Sequence, residues 1–600
     1  MFPWFRSRVP DPPVAGHGIC RNGSVFPPRS PALSRSSLSR AASLLVLLAA
    51  APLSPVLAQD APPPPPPPAA DRPDPRIPHF VPQQKVSDGS VTVRGQKIDY
   101  QAVAGTLVVH PKGWSDADAL AGMKPDPKDD KQPTAEAAMF YVAYVRKNVR
   151  PENRPITFVY NGGPGSATVW LHMGAFGPRR VVTADDVHTA AAPYQVVNND
   201  DSLLDATDLV FIDAPGTGFG RIAGKDAAKL FYGTDPDAQA FADFITQFLG
   251  RYGRYESPKY LFGESYGTTR SAVVADLLQE KKGIDLNGVM LLSQILDYDN
   301  SIDGPTANPS VDQPYVLALP SYAATAAYHH KLANQPADLP AFLKEVEQYA
   351  TTDYAAALQL GTALPDDQRD RVAARLHDYT GLPVDYIRKA NLRVNGGEFE
   401  QTLLGTDAMI TGRLDSRFSG YAIDPLSQSP DYDPMGAAMG SAYMAAFNDY
   451  ARKTLHYGDG GATGDGYEEY KQSANNIREW NFHHDQPNAE RPGRGLPNVL
   501  PDLAAAMIVN PKLHVQLNQG YYDLGTPYFE GVWEMRHLPI PHALAGNVEI
   551  RQYQSGHMVY AHQDALVQLH DNAADFIRRT ENQNGPGAQP MAPKPNGAKG

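Results

Sequence analysis

The sequence predicts an α/β protein: a mostly parallel central sheet with helices on both faces, interrupted by a helical insertion. Three observations carry this. Apolar strands alternate with amphipathic helices between residues 155 and 296, the strand signal almost vanishes over about 305–490, and strands return at 512–519 and 547–554 before a closing helix at 563–579. A parallel sheet covered on both faces needs apolar runs for strands and amphipathic helices between them, and that is the pattern here.

Taken in order, Arg35 and Arg40 precede the apolar run 41–58, which ends in Val56-Leu57-Ala58 and reads as an export signal over 1–58 with cleavage after Ala58. Pro52 and Pro55 break this run, so it is short for a membrane anchor, and no stable membrane span is expected after cleavage. The expected destination is the periplasm or the medium. Cys20, the only cysteine, would leave with the signal, which excludes a cysteine nucleophile and Cys-based metal sites from the mature chain. Residues 59–84 form a Pro-rich linker with seven consecutive prolines, favouring extended polyproline II, and 581–600 read as an unstructured tail.

Segments 90–109 and 137–147 alternate as antiparallel strands. Strands at 155–161, 207–214, 259–264 and 288–296 then alternate with helices at 237–252 and 268–282. The expected division is a core of 85–304 and 491–580, with 305–490 as a helical cap inserted between its halves. The formal charge is −13, and the first 58 residues hold six Arg and one Asp, so the remainder is more acidic still. That balance argues against nucleic-acid binding, which needs clustered cations to displace counterions.

The chemistry centres on Gly263-Glu264-Ser265-Tyr266-Gly267, a G-x-S-x-G turn between the strand 259–264 and a helix. Such a sharp turn requires small neighbours and exposes the serine as a nucleophile. Asp523 follows the strand 512–519 and His557 follows the strand 547–554, so both belong to loops at one edge of a parallel sheet. The chain order Ser265, Asp523, His557 is that of α/β-hydrolase triads, with His557 as base and Asp523 as its orienting partner. The loop 159–170 leaves a strand into Asn161-Gly162-Gly163-Pro164-Gly165, and its glycines let backbone approach a reacting carbonyl. The N–H groups of Gly163 and Tyr266 are the expected oxyanion donors. The paired histidines at 329–330 and 483–484 lack the spacing of a metal site and read as surface residues, and no metal or other cofactor is expected.

The motifs "NGGPGS", "DAPGTGFG", "GESYG" and "GHMV", in this order with a late aspartate, resemble the serine carboxypeptidase family over most of 90–580. That resemblance implies an α/β-hydrolase core with an inserted helical domain, an acyl-enzyme mechanism, and a peptide substrate with a free C-terminus, cleaved best at acid pH. It also implies that Asn161, with Gly162 beside it, and Glu264 hold the substrate's terminal carboxylate. A glutamate can donate to a carboxylate only while protonated. The chain departs from the family pattern at Ala175, where a second glutamate is usual, at Ser166 for a cysteine, at Thr268 for a small residue, and at Tyr560 for a proline. Ala175 keeps open an esterase, an acyltransferase or another serine peptidase on the same scaffold. A non-catalytic envelope binding protein is the alternative from another class.

Overall fold

The turn Arg94-Gly95 sets the first departure from the sequence reading. Both residues have positive φ (49° and 81°), so the chain reverses in two residues and the single strand expected over 90–109 is a hairpin. In the structure, a computed structural model describing residues 79–114, 134–459, 468–474, 478–487 and 495–581, the hairpin is β1 (Gln84–Val93) and β2 (Gln96–Val109). The signal region, residues 59–78 of the linker and residues 582–600 lie outside the described residues.

The remaining strands are β3 (Glu136–Arg146), β4 (Ile156–Tyr160), β5 (Arg179–Val181), β6 (Val196–Asn198), β7 (Asp208–Ile212), β8 (Arg221–Ala223), β9 (Lys259–Glu264), β10 (Gly288–Leu292), β11 (Met409–Thr411), β12 (Ser419–Tyr421), β13 (His514–Gly520) and β14 (Val548–Tyr553). Among the described residues the central sheet runs β1-β2-β3-β7-β4-β9-β10-β13-β14, with β8 pairing on β3. The first three strands are antiparallel, and β7, β4, β9, β10, β13 and β14 are mutually parallel. This is the α/β-hydrolase order, preceded by one extra strand. β4, β7 and β10 are buried along their whole length, which explains why they read as unbroken apolar runs.

Alternation along the strands feeds two cores. Tyr141, Phe158, Leu261 and Leu291 face the helices Thr234–Tyr252 and Tyr266–Lys282, while Phe140, Phe211, Phe262 and Leu292 face the opposite layer. That second layer contains the closing helix Gln563–Thr580 and the helix Pro434–Lys453, which buries Met435, Met439, Tyr443, Phe447 and Tyr450 at helical spacing. The segment between β10 and β13 is therefore helical, with the two-stranded β11-β12 ribbon inside it, and one of its helices belongs to the main core. Among the described residues no helix is long and apolar enough to cross a membrane.

The N-terminal edge of the parallel strands is tied by a buried charge cluster. Asp208, at the start of β7, accepts from Arg154 Nε at 3.1 Å and from Arg254 Nη1 at 2.7 Å. Arg254 also donates to the Arg154 and Pro155 carbonyls, so one carboxylate fixes the entries to β4, β7 and β9. Removing it strands two buried guanidinium groups. Asp208→Ala is expected to lower unfolding free energy by about 3–5 kcal/mol in urea denaturation; a loss below about 1 kcal/mol would refute this role.

Candidate active site

The elbow is built by close backbone approach. Ser265 has φ 60° and ψ −132°, a conformation that β-carbon sterics disfavour, and it is held by a 2.9 Å bond from its N–H to the Leu292 carbonyl. Three glycines make room. A Cβ on Gly162 would lie 2.6 Å from the Gly267 nitrogen, one on Gly263 would lie 2.5 Å from Ser271 Oγ, and one on Gly267 would lie 2.9 Å from the Tyr160 carbonyl. From 260 to 275 every residue is buried except Ser265, which keeps partial access to solvent at the N-terminus of the helix Tyr266–Lys282. The first N–H groups of that helix have no partner within it, so the N–H of Tyr266 is available beside the serine.

Parallel register brings the other candidates to the same edge. Gly263 pairs with Tyr160, Glu264 with Leu292, Leu292 with Asn518, and Gly520 with Tyr553, so the loops after β4, β9, β10, β13 and β14 emerge together. There, His557 Nδ1 lies 2.8 Å from Asp523 Oδ2, and both side chains are buried. Burial pushes His557 down, but the charge and hydrogen bond of Asp523 outweigh it, with Glu264 adding, and the imidazole is raised above its ordinary value. The His557 backbone is clamped at both ends: its N–H donates to the Leu414 carbonyl at 2.6 Å and its carbonyl accepts from Ser293 Oγ at 2.6 Å.

Asp523 is oriented by Thr526, which the sequence reading missed. Thr526 Oγ1 donates to Asp523 Oδ2 at 2.7 Å and lies 3.2 Å from His557 Nδ1, while the N–H groups of Gly525 and Thr526 donate to Asp523 Oδ1 at 2.9 Å each. The signal was present in "DLGT": an aspartate followed by a glycine and a hydroxyl residue is a turn in which the side chain caps its own loop. Arg270 was also missed. Fully buried, it pairs with Asp237 at 2.6 and 3.2 Å and donates to the Asn161 carbonyl at 2.8 Å, locking the elbow helix, its neighbour and the loop after β4 together. Its signal is a lone charge in the otherwise uncharged stretch 265–275.

Asn161 Oδ1 accepts from the Leu171 N–H at 3.1 Å, which leaves its amide nitrogen as the donor that meets Glu264 and Tyr560. Gly162 lies directly on the elbow backbone, and Gly163 beside it keeps partial solvent access with φ 108°. Burial pushes Glu264 up to about 7, against opposing effects of the His557 charge and of Tyr560 and Asn161. Its Oε2 is buried and has no hydrogen-bond partner, and the same is true of the Tyr560 hydroxyl. Ala175 is buried in the turn Leu171–Phe176 and holds Asn199 through its carbonyl at 2.7 Å. A cavity of about 490 Å³, lined in part by Gly216, Tyr232, Tyr470 and Gln472, adjoins this loop, since Gln472 accepts from the Ala167 N–H.

The expectation that 483–484 and 329–330 are surface histidines is corrected for His484. It is buried between Asp235 at 2.5 Å and Asp502 at 2.9 Å, and these two carboxylates raise it to about 9 despite its burial. A buried histidine flanked by two acids is an ion-pair clamp, invisible in sequence because its partners lie 249 and 18 positions away. Among the described residues no group of three or more acidic, His or Cys side chains is placed to hold a metal.

The profile of the serine carboxypeptidase family matches residues 130–356. Those residues are similar to that family. They contain Asn161, Gly163 and Ser265, whereas Asp523 and His557 lie beyond them and join the site through the sheet register. Two curated relatives are similar over shorter spans. The pheromone-processing carboxypeptidase KEX1 of Yarrowia lipolytica is 31% identical over 150 residues, 24% of this chain and 23% of that protein. The serine carboxypeptidase-like 44 of Arabidopsis thaliana is 23% identical over 180 residues, 28% of this chain and 35% of that protein. The match thus spans about a quarter to a third of these relatives' own lengths. Among solved structures, proline iminopeptidase of Mycobacterium smegmatis aligns at TM-score 0.29 and 12% identity, over 82% of this chain and 99% of that one.

If Asp523 is what raises His557, Asp523→Asn is expected to lower the His557 pKa, because burial and the nearby Arg413 charge then prevail. Histidine-selective NMR titration reads this directly, and an unchanged value would refute the assignment.

Proposed function

We propose that the protein is a serine carboxypeptidase-like hydrolase that releases C-terminal residues from peptides through an acyl-enzyme. The observation that carries this reading is the buried Asp523–His557 pair at the same sheet edge as the strained, half-exposed Ser265, with the buried acid Glu264 directly beside it. His557, held through Nδ1, offers Nε2 to take the Ser265 proton. Ser265 Oγ bonds to the scissile carbonyl carbon, and the Gly163 and Tyr266 amides stabilise the oxyanion. His557 then gives the proton to the leaving amine, and a water deprotonated by His557 releases the acyl group.

Glu264 and Asn161, with Gly162 allowing the close approach, would hold the terminal carboxylate. Glu264 donates to an anion only while protonated, so recognition holds below about pH 7 and weakens as pH rises through that value. Turnover needs neutral His557, whose raised pKa removes the base as pH falls. Because each group shifts the other, the two pH limbs belong to the pair. Export to the periplasm or medium is part of this reading and rests on residues 35–58. Ala175 supports a second reading, an esterase or acyltransferase on the same scaffold, because it supplies no second acid to a carboxylate subsite.

Ser265→Ala is expected to reduce peptide hydrolysis by about 10⁴-fold or more and to abolish fluorophosphonate labelling while the protein stays folded; retained turnover would overturn the mechanism. Comparing a free-acid peptide with its C-terminal amide over pH 4–9 separates the two readings, since carboxypeptidase action requires preference for the free acid below about pH 7. In Glu264→Gln, whose amide still donates, the alkaline fall in free-acid cleavage is expected to shift or disappear. A profile identical to that of the parent would remove Glu264 from carboxylate recognition.

A further inference from the structure

Two polar atoms beside Ser265 are buried without a hydrogen-bond partner, Glu264 Oε2 and the Tyr560 hydroxyl, and their residues are each 3% exposed. Leaving such a group unmatched costs about 1–3 kcal/mol, so two of them side by side next to a reactive serine point to a ligand that completes them. They are neighbours: Glu264, Tyr560 and Asn161 lie close enough to act on one another as weak side-chain partners, in geometry too poor to satisfy either buried atom. The Tyr560 ring is positioned by packing on Gly174, where an added Cβ would lie 2.8 Å from it, immediately before Ala175. Tyr560 therefore packs one residue away from Ala175.

We propose that Tyr560 is a specificity-determining residue whose hydroxyl donates to the substrate's terminal carboxylate, together with Asn161 and Glu264, where an acidic side chain at 175 is absent. This rests on the carboxypeptidase reading above and deepens it. The donor set fits an anion of two oxygens. The phenol has one O–H to give, the Asn161 amide nitrogen is turned toward the same two groups with its oxygen held by the Leu171 N–H, and protonated Glu264 supplies a third donor. Burial and the charge of Glu264 hold the Tyr560 phenol well above its ordinary value, so it remains a neutral donor at every working pH, unlike a second carboxylic acid. Tyr560 also lies three residues after His557 on the short turn Val559–Ala561, so the general base and this donor sit on one loop.

The test uses Tyr560→Phe, which keeps the ring on Gly174 and removes only the hydroxyl. The readout is the ratio of kcat/KM for a blocked dipeptide free acid to that for its amide. A hydrogen bond to a charged group is worth about 1.5–3 kcal/mol, so this ratio is expected to fall about 10–150-fold, chiefly through KM for the free acid. In a Ser265→Ala background, Tyr560→Phe is expected to weaken binding of the same free-acid peptide by a similar factor, a measurement independent of turnover. Unaltered thermal unfolding of Tyr560→Phe checks the fold. If the parent prefers the free acid and the variant keeps that preference, Tyr560 is not a donor and the proposal falls alone. A variant that prefers the free acid more strongly overturns it too, showing that the phenol fills the subsite. If the parent shows no preference for the free acid, the carboxypeptidase reading fails and this proposal fails with it.

Discussion

The site depends on one backbone constraint, the positive φ of Ser265. A non-glycine residue in that conformation costs about 1–3 kcal/mol, and it persists only where the surroundings over-determine it. Here they do so from three sides. Gly162, Gly263 and Gly267 let β4, β9 and the elbow helix approach to distances that no side chain would allow. Arg270, neutralised by Asp237, binds the Asn161 carbonyl and so joins the loop after β4 to the helix behind the serine. Buried pairing without solvent is costly unless the geometry is good, and this guanidinium is matched by two carboxylate contacts, one carbonyl and the faces of Tyr160, Phe241 and Tyr266.

The Asp523–His557 pair is fixed by a different part of the chain. Residues 413–416, between β11 and β12, reach back to both loops. The Arg413 carbonyl accepts from Leu524, the Leu414 carbonyl accepts from His557, and Ser416 donates to the Tyr522 carbonyl. Asp415 packs so tightly on Gly556 that a Cβ there would overlap it. The insertion thus braces the Asp523–His557 pair rather than only covering it, and its helix Pro434–Lys453 is part of the main core.

What was legible in the sequence is what is local or periodic. The apolar runs of β4, β7 and β10 and the G-x-S-x-G turn are written in consecutive residues, and Asp523 and His557 follow from strand ends alone. The hairpin at Arg94-Gly95 was lost because an arginine rarely adopts positive φ, so nothing marked it as a turn residue. Thr526, Arg270 and His484 were lost for another reason: each acts through a partner chosen by the fold. His484 makes the case plainly, since the same two adjacent histidines would be surface residues if Asp235 and Asp502 were not brought to them.

The site and the fold respond to pH in the same direction. Burial is the leading cause that raises Glu264, Asp213 and Glu534 to about 7, Glu400 to about 8 and Glu530 well above its ordinary value, the last also repelled by Glu534. Each folded value exceeds the unfolded one, so the native state holds these protons more tightly. Their contribution to stability is complete below the ordinary carboxyl range and is lost as pH rises through about 7–8. The His484 clamp has the same sign: raised to about 9, it stabilises fully below its ordinary value and is lost as pH climbs through 9. Asp205, lowered by His570 and Arg578 despite its burial, opposes them on the acid side. Glu530 feels the charge of Asp523, and Glu264 is coupled to His557. Burying these acids thus shifts their contribution to stability toward acid pH, in the range where Glu264 carries its proton.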